Sequence, residues 1–111
     1  MDDTRKAAIR IIRWYIRELQ HQACCEWQAR QLAQTYYSKI AAIKLLQLIK
    51  TNKSLSPMTI TENFRDKMNR YACVNDFNST MFSIQADTAE YILDEIVFYK
   101  ERRKSKWTNQ N

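Results

Sequence analysis

Apolar residues return every three or four positions along the first half of the chain. Ile9, Ile12, Ile16, Leu19 and Ala23 step by 3, 4, 3 and 4, which places them on one side of an α-helix. A second apolar line, Ala7, Ile11, Trp14, His21, Cys25, Ala29, Leu32 and Tyr36, falls roughly opposite at about 100° per residue. Residues 3–50 contain no glycine or proline and are rich in Ala, Leu, Ile, Gln, Arg and Lys, so the whole stretch is predicted helical. Unbroken, it would reach about 70 Å at 1.5 Å per residue, against a radius of gyration of about 13 Å for a compact domain of this size. A break is therefore expected near the QTYYSK segment, 34–39, where Thr35 or Ser38 would cap a new helix. The alternative is one long helix whose second apolar face forms a dimer seam.

The TNKSLSP segment, 51–57, holds the single proline and marks a linker over 51–58. Thr59 with Glu62 fits a capping box, and Ile60, Phe64, Met68 and Tyr71 make the stripe of a helix over 59–73. The VNDFNS segment, 74–79, is a turn. A last helix is predicted over 80–104, with Met81, Ile84, Thr88, Ile92, Ile96 and Tyr99 on its face and Phe82, Ala89 and Leu93 beside them. The expected fold is all-α, a small bundle of three to four helices with a long N-terminal helical segment. It forms a single helical domain over 1–104, followed by a flexible basic tail over 105–111.

Composition narrows the function classes. The chain has 111 residues and no glycine, where average usage near 7% would supply about eight. Glycine-rich phosphate loops, tight hairpins and nucleophile elbows are thereby disfavoured, and turns fall to residues such as Asn52, Asn75 and Asn78. No run of about 18 apolar residues exists, so no membrane span is expected. The N-terminal stretch has arginines among its apolar residues and does not read as a secretory signal. Three cysteines, two of them adjacent, point to reduced thiols and a cytoplasmic location.

The HQACCEWQ segment, 21–28, is the one cluster of soft ligands. His21 and Cys25 share a helix face, but a structural zinc site needs four ligands and the second pair is missing. A cysteine nucleophile needs a base and an orienting group, and nothing places a pocket here. Cys25 is expected to be a small core residue, with His21 lining the same buried or interfacial face. Asp87, Glu90 and Asp94 share a face of the last helix but lack a second carboxylate cluster for a metal nuclease. They are expected to pair with the basic ridge or with cations of their own helix. CEWQARQLAQTYYSKIAAIKLL has a helix-turn-helix cadence, but its second helix is too apolar to read bases. No catalytic residue, metal or cofactor is expected, and the chain reads as non-enzymatic.

Charge is the more informative feature. Residues 1–53 carry ten basic and four acidic side chains, a balance of +6; residues 54–99 carry three and seven, −4; residues 100–111 carry five and one, +4. Lys6, Arg10, Arg13 and Arg17 step by 4, 3 and 4, forming a ridge about 16 Å long that continues into Gln20, Gln28 and Gln31. Such a ridge suits a phosphate backbone or an acidic protein surface. Arg102, Arg103 and Lys104 extend the theme near the C-terminus, with Trp107 beyond them. The expected function is a small binding or regulatory protein that contacts nucleic acid, or an acidic face of a nucleic-acid-processing partner, through these seven cations. The alternative is a protein–protein interaction module, either a homodimer or a docked accessory subunit, acting through Ile11, Trp14, Cys25, Leu32 and Tyr36. A phage or mobile-element inhibitor of a host nuclease complex would belong to that class.

Overall fold

A computed structural model describes residues 3–25, 29–74 and 76–109, with side chains described for 3–24, 29–74 and 76–102. Four helices and no strand occur among them: α1 (Asp3–Cys25), α2 (Ala29–Thr51), α3 (Pro57–Val74) and α4 (Ser79–Asn109). The fold is the expected small all-α bundle.

Helix α1 ends at Cys25 and α2 begins at Ala29, so the segment does not divide at 34–39 and no single 3–50 helix forms. Helix α2 runs straight through Thr35 and Ser38, and both are buried in it. They look like caps in the sequence because short hydroxyl side chains favour helix ends. Here their small size lets α2 approach its neighbours instead.

Short connections make the helices antiparallel in sequence order. Arg5 at the start of α1 meets Ile49 at the end of α2, and Arg65 of α3 meets Glu90 of α4. Tyr15 of α1 lies against Tyr91 of α4, ring centroids 5.0 Å apart. The order is therefore up-down-up-down, with α2 and α4 meeting across the centre and α1 and α3 furthest apart. The core joins Ile9 and Ile12 of α1 to Leu45 and Ile49 of α2, Phe64 and Met68 of α3, and Ile92 and Ile96 of α4. Ala8, Ala41, Ala42, Ala86 and Ala89 are buried among them, and such small side chains let helix axes come close.

Helix ends follow from a glycine-free chain. No described residue has positive φ, so no left-handed C-cap occurs among the described residues. Helix α3 starts at Pro57, whose fixed φ and missing N–H suit the first helical position. Its cap is Ser56, whose Oγ accepts the Thr59 N–H at 3.1 Å. The cap thus lies three residues before the expected Thr59, which instead occupies the third helical position. Asn78 immediately precedes α4, its carbonyl accepting the Phe82 N–H at 3.1 Å. Helix α4 continues to Asn109, five residues past the end expected at 104, because no glycine or proline stands there to stop it.

Candidate anion-binding groove

The end of α2 carries carbonyls with no helical donor. Arg5, 4% exposed, supplies one. Its guanidinium donates from Nη1 to the Ile49 carbonyl and from Nη2 to the Leu55 carbonyl in the loop that follows. A cation at a helix C-terminus is also favoured by the macrodipole. One buried side chain of α1 thereby fastens both the last turn of α2 and the α2–α3 loop against α1.

That fastening has an electrostatic consequence. Lys50 lies in the last turn of α2 and Lys53 in the pinned loop, so both are carried beside Lys6, Arg10 and Arg13 of α1. These five cations line one groove of about 720 Å³. Asp3, Ile9 and the half-buried Tyr99 of α4 complete it. Lys6, Arg10 and Arg13 are exposed, as the ridge spacing requires; Arg17 is exposed as well but lies beyond the groove lining.

The C-terminal cations come to the same end of the bundle, because α4 returns antiparallel to α1. Arg102 is exposed, its guanidinium 5.1 Å from the centre of the Phe98 ring, and Lys100 Nζ lies 3.7 Å from Met58 Sδ at the start of α3. The side chains of Arg103 and Lys104 lie outside the described residues, as does that of Cys25. Sequence spacing finds the ridge but misses Lys50, Lys53 and Tyr99, which reach the groove only through tertiary contact.

The other expected sites resolve differently. Ile11 is half-buried and packs on the core. Trp14 on α1 and Leu32 and Tyr36 on α2 are exposed, and Tyr36 meets Tyr37 edge-on with centroids 5.5 Å apart. Their apparent single line assumed one helical phase, but Trp14 belongs to α1 and Leu32 and Tyr36 to α2, a separate helix. His21 is exposed rather than buried, and Cys24 and Cys73 are free and exposed. No group of three or more His, Cys, Asp or Glu among the described residues is arranged to hold a metal, and no described helix is long and apolar enough to cross a membrane.

The acidic face of α4 divides. Glu90 accepts from Arg65 of α3 at 2.7 Å, not from the basic ridge or its own helix. That hydrogen bond, followed by the one to Asp66, raises the Arg65 pKa above its ordinary value. Asp87 points to a different recess, lined by Trp14 and Tyr91 among others. No protein-family model, curated protein or solved structure matches the chain, so its geometry carries the functional conclusion.

Proposed function

We propose that the chain is a non-enzymatic polyanion-binding module whose ligand is nucleic acid. The observation that carries this reading is the convergence of Lys6, Arg10, Arg13, Lys50 and Lys53 on one groove. Two helices and a loop supply the five, so the groove is not the solvated stripe of one helix. An ordinary charged helix face needs no such convergence. Tyr99 adds a ring against which a base can stack. An acidic face of a nucleic-acid-processing protein presents similar chemistry and is the competing ligand. The free, exposed Cys24 and Cys73 fit a reducing compartment such as the cytoplasm.

Fluorescence anisotropy with labelled DNA and RNA oligonucleotides tests the proposal. Five neutralised phosphates should give a slope of log K against log salt of about −3.5 for single strands and about −4.5 for duplex. Lys50→Glu with Lys53→Glu should weaken binding across all sequences and flatten the slope by about 2. A folded wild-type protein that binds neither nucleic acid near 50 mM salt ends this reading.

A protein–protein role has one observation in its favour, the exposure of Trp14, Leu32 and Tyr36. Light scattering of wild type beside Tyr36→Glu decides whether that surface holds copies together. A monomeric wild type removes the homodimer and leaves docking on another protein.

A further inference from the structure

A second recess opens farther along α1, with the opposite electrostatic character. It encloses about 390 Å³ between α1, α2 and α4. Trp14 and Glu18 of α1 stand on one side, Asp87 and Tyr91 of α4 on the other, and Ser38 of α2 is among the buried lining residues. Trp14 is 46% exposed, so its ring is available to a ligand. Tyr91 is braced by Tyr15, ring centroids 5.0 Å apart.

In a chain of net charge +6, no lysine or arginine lines this recess. Neither Glu18 nor Asp87 has an ion-pair or hydrogen-bond partner among the described side chains. Burial raises the Tyr91 pKa first, with Glu95 and Tyr15 adding to it. Ser38 is 8% exposed and brings a hydroxyl oxygen to the lining. Thr88 donates its hydroxyl to the Ile84 carbonyl at 2.9 Å, leaving oxygen lone pairs that can accept. The recess therefore offers aromatic faces, two carboxylates and hydroxyl oxygens.

Aromatic faces attract cations through the ring quadrupole. Acceptors spread over several directions suit a planar group with many N–H donors. Guanidinium has five in a fixed fork, whereas an ammonium is a point charge with three. We propose that this recess binds an arginine side chain of a partner polypeptide, its guanidinium lying on Trp14 between the carboxylates of Glu18 and Asp87. The volume takes one side chain and its stem, not a folded element. This inference does not depend on the polyanion groove.

The Trp14 indole N–H resonance reports the site directly by NMR. The probes are three blocked tripeptides, Ala-Arg-Ala, Ala-Lys-Ala and Ala-citrulline-Ala, together with free arginine. The arginine peptide should shift the resonance with a Kd on the order of 1 mM or tighter. The lysine peptide should bind severalfold more weakly, and the citrulline peptide, which keeps the shape but loses the charge, should not bind. Glu18→Gln with Asp87→Asn should cost at least about 10-fold in affinity, while Arg10→Glu should leave it unchanged. Both variants alter exposed side chains, and circular dichroism verifies their folding. Equal binding of citrulline and arginine peptides, an unchanged double variant, or no shift at about 10 mM arginine peptide overturns the assignment. Free arginine binding as tightly as the peptide overturns the polypeptide source.

Discussion

Replacing Arg5 with methionine removes the guanidinium while keeping an apolar stem of similar length. Two hydrogen bonds from a charged donor are lost, to the carbonyls of Ile49 and Leu55. Such bonds contribute roughly 1.5–3 kcal/mol each. The two acceptors fare differently once abandoned. Ile49 is fully buried, so its carbonyl stays dry at a cost of about 1–3 kcal/mol. Leu55 is exposed, and water replaces the lost donor there. Methionine also spares the desolvation of a nearly buried cation, which offsets part of the loss. The net expectation is a destabilisation of about 2–3 kcal/mol.

Urea unfolding followed by circular dichroism measures it. With an m-value of about 1–1.5 kcal/mol/M for a small domain, the midpoint should fall by about 2 M with m unchanged. Arg5→Lys retains the charge but cannot fork to two carbonyls, and should recover about half of the loss. Polyanion affinity is the second readout. Arg5 does not line the groove, yet the methionine variant should bind severalfold more weakly, because Lys50 and Lys53 lose their anchorage. A methionine variant within about 0.5 kcal/mol of wild type would refute the account of Arg5 as the fastener.

Ser56→Ala removes the acceptor for the Thr59 N–H and should cost about 1 kcal/mol in the same assay, with Ser56→Asp close to wild type. Tyr91 holds its proton more tightly in the folded protein than in the unfolded chain, because burial raises its pKa. Its contribution is complete below about pH 10 and is lost as pH climbs through the folded-state value, so Tyr91→Phe should flatten the alkaline fall in Tm. Anions that bind only the folded groove should raise Tm with concentration, and calorimetry with polyphosphate should show this in wild type and lose it in Lys50→Glu with Lys53→Glu.

Stripes at helical spacing were legible in the sequence where one helix face meets one core. Ile60, Phe64 and Met68, and Thr88, Ile92 and Ile96, are buried as their spacing predicts. The break between α1 and α2 was not legible, because the chain between Cys25 and Ala29 carries neither glycine nor proline. Thr35 and Ser38 drew the expected break to themselves, since a polar hydroxyl reads as a cap until its neighbours are known. The ridge was legible as far as one helix extends. Lys50, Lys53 and Tyr99 were not, for their approach to α1 spans more than 35 residues of sequence and has no period. Asp87 and Glu90 share a helix face, yet α3 claims one and the α1 side claims the other. A face is a direction, and the partners in that direction come from the packing.

The groove also explains why a buried arginine is tolerated in so small a core. Lys6, Arg10, Arg13, Lys50 and Lys53 repel one another, and like charge gathered at one end works against the compact state. The loop bearing Lys53 would relax outward if only surface contacts held it. A glycine cap at the end of α2 would satisfy the local carbonyls but would not tie that end to α1. Arg5 does both, because its donors reach the helix terminus and the loop from a neighbouring helix. Its own positive charge does not defeat the purpose, since the carbonyl dipoles of the α2 terminus face it while the five groove cations point outward to solvent. Stability and charge density at this end are thus opposed, and the side chain that reconciles them is buried, outside the groove, and invisible to any pattern of spacing.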